Sequence, residues 1–222
     1  MKSLINSLIN LFLASILITN PWKCDSKKTV QKFKFDSQKK IELSYDSLNL
    51  WKRWIQETIR KSESLKCPAI IVSKLDRRLE LYLDGKRDTF FNIFLFDYFH
   101  PKTRQGDGCT PEGMFYVTTK AKHPYFEYVL QISYPDTSAA KIGLEKGIIT
   151  KREYKKIEEA IMKREKPPMN TALGGDICIH GTKATIGCIA IDKNIKYLYD
   201  KVKNYKTIFV TIVRGTKQSY LK

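Results

Sequence analysis

The sequence predicts a mostly β protein, sandwich- or barrel-like, with helical insertions, α+β overall. Two observations carry this. Short apolar runs recur from residue 69 to 213, with Gly, Pro and Asp turn signals between them. Only a few longer stretches have apolar residues at the helical spacing.

The candidate strands are, in order, 69–73, 79–83 (LELYL), 90–96 (FFNIFLF), 114–119 (MFYVTT), 128–133 (YVLQIS), 176–180 (DICIH), 188–191 (CIAI) and 207–213 (TIFVTIV). Asp84-Gly85 is a turn signal after the second, and a polar loop, HPKTRQGDGCTPEG, precedes the fourth. Before the first strand, Asp46 or Ser47 can cap a helix running to about residue 62, with Leu48, Trp51, Ile55 and Ile59 on one face. Residues 152–166 form a helical insert with Tyr154, Ile157, Ala160 and Ile161 on one side, and Pro167-Pro168 is expected to end it. Asp192 is the expected cap of a further helix, with Ile195, Leu198, Tyr199 and Val202 inward.

A chain of 222 residues holds one substantial core and not two large domains. The expected division is an N-terminal signal or anchor over 1–22, a polar linker and amphipathic helix over 23–66, a mostly β domain over 67–214 and a basic tail over 215–222. Met1-Lys2 supplies a positive start, residues 4–18 are mostly apolar, and Thr19-Asn20-Pro21 breaks the run. That run is shorter than the roughly 20 apolar residues of a bilayer span and fits a secretory signal. Export to the periplasm or cell envelope is expected, with membrane attachment only if this segment stays uncleaved. Cys24 follows Pro-Trp-Lys, not the small residues of a lipoprotein signal.

The 40 basic and 23 acidic residues leave a formal charge of +17. This suits an anionic partner or a solvated lysine-rich surface. No recognised nucleic-acid motif accompanies the charge, so nucleic acid is not an expected partner. Five cysteines, at 24, 67, 109, 178 and 188, are an odd number, which in an exported chain leaves at least one thiol free unless it pairs between chains.

The densest signal is GGDICIHGTKATIGCIAID, residues 174–192. Strand alternation puts Cys178 and His180 on one face. Gly181 to Gly187 reads as a loop joining adjacent strands, so that its ends bring His180 near Cys188. An imidazolium beside a thiol lowers its pKa from about 8.5, and the thiolate can attack a carbonyl. His180 then serves as general base and returns the proton to the leaving amine. The backbone amides of Gly187 and Cys188 can form an oxyanion hole, and the Gly181 carbonyl is the expected group orienting the ring. Two bland readings compete: a cysteine on a strand as a small buried residue, and a metal cluster of Cys109, Cys178, His180 and Cys188. Standard zinc spacings are absent, so a metal is not expected.

I-H-G followed by T-x-G-C-I-A resembles the active-site signature of the L,D-transpeptidase (YkuD-like) catalytic domain. GDGCTPEGMFYV, QISYP and GGDICIHG are similar to further blocks of its YafK-like, short-spacer branch, in order, over about residues 69–213. The resemblance implies the L,D-transpeptidase fold with no metal or organic cofactor, with Cys188 as nucleophile and His180 as base. It puts Thr185 in the Ser/Thr position and leaves Tyr134 and Thr185 as candidates for substrate contact. Thr110, Pro111 and Glu112 are expected to set a turn beside the site, and Cys109 and Cys178 to be bystanders. Many members have histidine where this chain has Ile186 and arginine where it has Ala190, which leaves the acceptor open. The implied substrate is a peptidoglycan stem peptide, transferred to an amine to form a cross-link or to attach a wall protein. Water as acceptor would make the same enzyme a hydrolase of cross-links or of wall-attached protein. A non-catalytic wall-binding module and a basic polyanion binder are the readings of another class. The intact Cys-His-Gly set argues against the first.

Overall fold

The computed structural model describes residues 45–182, 185–191 and 194–215. Backbone contacts divide the chain into residues 1–42 and 43–222. The expected signal, the linker to residue 44, Asp192 and the basic tail from residue 216 lie outside the described residues.

The described chain begins with helix α1 (Tyr45–Leu65), longer than expected by three residues at its C-terminal end. Its buried side is more polar than the apolar periodicity implied. Trp51 is buried, and so are Thr58 and Ser62. Thr58 Oγ1 shares a 2.6 Å hydrogen bond with Thr211 Oγ1, and Ser62 donates to the Cys67 carbonyl at 2.6 Å. Both polar groups are thus satisfied on burial, which removes most of its cost.

Eight strands follow: β1 (Ala69–Ser73), β2 (Arg78–Leu83), β3 (Lys86–Phe94), β4 (Gly113–His123), β5 (Glu127–Ile132), β6 (Cys178–His180), β7 (Ile189–Ile191) and β8 (Phe209–Val213). They close into a barrel in the order β1-β2-β3-β7-β6-β5-β4-β8, so the barrel alternative holds over the sandwich. β1 and β8 close it in parallel. Val72, Leu79, Leu81, Ile93, Leu130, Ile132, Ile179, Ile189 and Ile212 fill the interior. Truncating any one of these to alanine should cost about 2–5 kcal/mol, since close packing leaves a cavity behind.

Between β5 and β6 lie α2 (Thr137–Glu145) and α3 (Lys151–Met162); α4 (Ile195–Val202) precedes β8. Helix α2 was not expected. Asp136 caps it by accepting from the Ala139 amide at 2.8 Å. In α3, Thr150 and Glu153 form a reciprocal capping box. The helix stops at Met162, before Pro167, where Arg164 takes a left-handed conformation with φ 56°. Helix α4 begins after Asn194, which makes no side-chain cap bond. Its inward residues Ile195, Leu198 and Val202 are buried as expected.

The most consequential difference concerns β6 and β7, which run parallel, with Ile179 opposite Ile189 and His180 opposite Ala190. A tight hairpin would have brought the two ends of the connecting loop together. In a parallel pair they are at opposite ends of the strands, and the connection must run back along them. One step before the Ile179–Ile189 pair, Cys178 falls opposite Cys188.

Candidate active site

β6 and β7 are each three residues long and lie side by side in the barrel wall. His180 ends β6 and is 2 % exposed. Cys188 immediately precedes β7 and is half-buried. Side chains two apart on a strand share a face, so Cys178 and His180 both flank the Cys188 sulfur. The sequence reading brought the two residues together through a hairpin; the strands instead run parallel. His180 reaches Cys188 diagonally across parallel strands, and Cys178 occupies the position directly opposite.

Cys178 is therefore not a bystander. Its backbone N–H donates to Cys188 Sγ at 3.3 Å. Both sulfurs also lie near one acceptor, the Asp176 carbonyl, which is 3.5 Å from Cys188 Sγ and 3.7 Å from Cys178 Sγ. Asp176 takes the left-handed conformation, φ 61°.

The Cys188 thiol is held well below its ordinary pKa. A hydrogen bond from the Cys178 thiol is the largest cause; burial opposes it, and the His180 imidazole and the Cys178 amide add to it. Cys178 is pushed up in turn, by its bond to Cys188 and by burial. Only one of two touching thiols can readily carry the charge. The imidazole and the amide both favour Cys188 as the thiolate.

The imidazole is held on several sides. Nδ1 lies 3.3 Å from Thr182 Oγ1, and Nε2 lies 3.3 Å from Thr185 Oγ1. The orienting contact expected from the Gly181 carbonyl is thus supplied, at Nδ1, by the hydroxyl one residue further on. The Phe126 ring lies against the imidazole with centroids 4.4 Å apart, and His123 stacks on Phe126 at 4.7 Å. Gly181 donates its N–H to the Phe126 carbonyl at 3.4 Å, and a Cβ on Gly181 would come within 2.4 Å of Ile195 Cγ2. Glycine is needed there because helix α4 leaves no room.

Gly187 has φ 85°, a conformation that favours glycine. Its carbonyl accepts a 3.0 Å hydrogen bond from Thr110 Oγ1, which is fully buried. Thr110 belongs to the loop before β4, and the loop is strongly anchored. Asp107 accepts from the amides of Thr103, Arg104 and Cys109 and from Lys102 Nζ at 2.7–3.1 Å. Burial raises the Asp107 carboxyl, but these bonds outweigh it and hold it below its usual value. Lys74, with no exposed side-chain surface, reaches the carbonyls of His100 (2.6 Å) and Thr110 (3.3 Å) and the Glu112 carboxylate (3.2 Å). Glu112 also pairs with Arg214 at 3.0 Å.

Three further expectations find their places. Tyr134 does not line the site. It is 1 % exposed, packed edge-on to Phe115 within the core, and its hydroxyl has no hydrogen-bond partner among the described residues. The expected substrate contact is corrected on that ground. Cys109 is buried in the loop that passes Gly187, donates to the Asp107 carbonyl at 3.4 Å, and is pushed up to about 11 by burial first and by the Asp107 and Asp97 carboxylates. Ala190 is fully buried between Phe94 and His180. Ile186, by contrast, is exposed, and with exposed Phe96 it flanks Gly108, giving this side of the site an apolar rim.

A closed barrel that sets an imidazole beside an activated cysteine defines a fold with a cysteine–histidine site. The chain belongs to the YkuD family, the L,D-transpeptidase catalytic domain, which matches residues 68–214. Solved structures to which the chain is similar include a point mutant of the helical cell shape determining protein Pgp2 of Campylobacter jejuni, at 20% identity and TM-score 0.49, covering 79% of this chain and 58% of that one. Bd1075 of Bdellovibrio bacteriovorus matches at 16% identity and TM-score 0.45, over 71% of this chain and 52% of that one. An L,D-transpeptidase of Mycobacterium smegmatis matches at 11% identity and TM-score 0.38, over 65% and 58%. The chain thus spans less than two thirds of the length of each. No curated protein matches it. Among the described residues no helix is long and apolar enough to cross a membrane.

Proposed function

We propose that this protein is a peptidoglycan L,D-transpeptidase in which Cys188 is the nucleophile and His180 the general base. The observation that supports it best is the Cys188 sulfur flanked by an imidazole and an amide donor within a YkuD-family barrel. The thiolate attacks the carbonyl of the L–D peptide bond next to the terminal D-residue of a stem peptide. The amides of Gly187 and Cys188 receive the developing oxyanion, and donors of this kind are worth about 3–4 kcal/mol. His180 protonates the departing amine, which leaves a thioester on Cys188. An acceptor amine, deprotonated by the same imidazole, resolves the thioester and forms the new amide. The trans peptide between Gly187 and Cys188 supports this assignment. Thr110 holds its carbonyl on one side, so its N–H is aimed to the other.

Thr185 belongs in this reading as the hydroxyl that keeps the imidazole in reach, and Gly181 as the residue that lets the chain pass under α4. The apolar rim of Ile186 and Phe96 favours an acceptor presenting a hydrocarbon surface beside its amine. The apolar segment at residues 4–18 supports export to the cell envelope, where wall peptides are met.

The test is intact-protein mass spectrometry after incubation with a stem tetrapeptide and, separately, with a carbapenem. Wild type should gain an acyl adduct on Cys188, and Cys188→Ala should gain none while keeping its fold by circular dichroism. Decay of the adduct only when an amine is supplied identifies a transferase; decay in buffer alone identifies a hydrolase. A folded protein that never acylates under either challenge would rule the proposal out.

A further inference from the structure

Cys178 has no role in the mechanism above beyond its backbone amide and its hydrogen bond. Its thiol nevertheless sits where a second sulfur would react with the first. We propose that Cys178 is a resolving cysteine: when a hydroperoxide oxidises Cys188, the Cys178 thiol closes a reversible disulfide with it, making the pair a thiol modification site at the mouth of the active site.

The argument is geometric. Residues directly opposite on neighbouring strands lie about 4.8 Å apart, within the Cα window of about 4.4–6.8 Å that a disulfide spans. Cys178 and Cys188 occupy such a position by extension of the parallel register. Both side chains leave the strands on the same side, because both thiols reach the one Asp176 carbonyl. The Cys178 amide already touches Cys188 Sγ at 3.3 Å, so the bond needs a turn of two side chains and no backbone displacement. Both cysteines are half-buried, within reach of a small oxidant. Cys109 and Cys67, the other two described cysteines, are buried in the loop before β4 and ahead of β1.

The chemistry balances with a hydroperoxide as oxidant. The Cys188 thiolate attacks the nearer peroxide oxygen, the O–O bond breaks, and the second oxygen leaves as hydroxide or alkoxide. Cys188 is then a sulfenic acid. The Cys178 sulfur attacks the Cys188 sulfur, an S–S bond forms, and the S–O bond breaks. The departing hydroxide takes the Cys178 proton and leaves as water. Two thiols have lost two electrons in all, and the peroxide has gained them. A dithiol reductant reverses the step by exchange through Cys178 or Cys188. The disulfide blocks acylation and shields Cys188 from the irreversible sulfinic and sulfonic states. The effect on activity rests on Cys188 being the nucleophile; the bond itself does not.

The experiment uses the full chain, reduced and then exposed to hydrogen peroxide. Trypsin cleaves after Lys183, which lies between the two cysteines in sequence, so the disulfide joins two separate peptides under non-reducing conditions. Wild type should lose two hydrogen masses, yield the Cys178–Cys188 linked peptides, and regain alkylatable Cys188 after dithiothreitol. Cys178→Ala should instead gain oxygen masses on Cys188 and regain little. Wild type that accumulates sulfinic or sulfonic Cys188 without the link, links Cys188 elsewhere, or leaves Cys188 unoxidised overturns the proposal. The linked peptides are sought in wild type itself, so an unstable variant does not blunt the test. A link that forms in a protein unable to acylate would sink the transpeptidase reading and leave the thiol pair standing.

Discussion

Thr110 Oγ1 donates a 3.0 Å hydrogen bond to the carbonyl of Gly187, across 77 residues of sequence, and both groups are buried. The bond ties the loop before β4 to the residue that precedes Cys188. It fixes the peptide plane whose other side carries the Cys188 amide.

Thr110→Val keeps the shape and removes the donor. A buried carbonyl left without a partner costs about 1–3 kcal/mol. The expected result is a fall of about tenfold or more in kcat on a soluble tetrapeptide, with KM little changed, and recovery in Thr110→Ser. Steady-state kinetics on the three proteins decides it; a KM effect alone would show that the bond serves binding and not the oxyanion.

His180→Ala should leave a thiol that is slow to acylate. Loss of a general base costs about 10²–10⁴ in rate. It also removes one of the groups that hold the Cys188 pKa down, so the midpoint of Cys188 alkylation should move to higher pH. Superimposable alkylation profiles for wild type and variant would mean the imidazole and the thiol are not in communication.

Cys178→Ala, reduced throughout, should also raise the Cys188 midpoint. The Cys178 thiol donates to the sulfur and so favours the thiolate. Without it the thiolate fraction at neutral pH falls, and the loss is made good as pH rises. The retained backbone amide should keep the shift from being complete. Iodoacetamide labelling against pH, read at the Cys188 peptide, gives the answer; an unmoved or lowered midpoint contradicts the assignment of the charge to Cys188.

Lys74→Met should destabilise the fold by about 3–5 kcal/mol, because removing one member of a buried, hydrogen-bonded ion pair strands its partners. The His100 and Thr110 carbonyls lose the Lys74 donor, and Glu112 keeps Arg214 as its remaining ion-pair partner among the described residues. The midpoint of urea unfolding is the measurement. A change within the scatter of surface substitutions would mean that water or Arg214 replaces the ammonium.

That Cys188 and His180 lie close together was legible in the sequence, because the GGDICIHGTKATIGCIAID stretch sets them on two short apolar runs joined by one loop. So were the barrel strands, whose apolar runs stand out between turns. Helix α2 was not, since its buried positions are Ala140 and Gly143 and give no apolar stripe; the cap at Asp136 was the available signal. The parallel sense of β6 and β7 was also hidden. Ile179, Ile189, Ala190 and Ile191 are all fully buried, so alternation says nothing of direction, and pairing is decided by the rest of the barrel. With the wrong strand sense, Cys178 could not be seen opposite Cys188. Thr110 and Phe126 act on the site across long stretches of chain, and Tyr134 was misplaced because a tyrosine in a motif does not reveal whether its ring points out or in.

The last strand also sets the order of assembly. β8 is hydrogen-bonded to β1 on one side and to β4 on the other, and Arg214, one residue past it, holds Glu112. Until Phe209–Val213 has emerged from the ribosome, β1 and β4 are open edges and the Thr110 loop lacks one of its anchors. The nascent chain therefore carries Cys188 for some twenty residues before the cylinder around it can shut. Its thiol is at its least tuned during that interval, and a chain cut short just ahead of β8 should be a sticky, unclosed sheet and not a smaller enzyme.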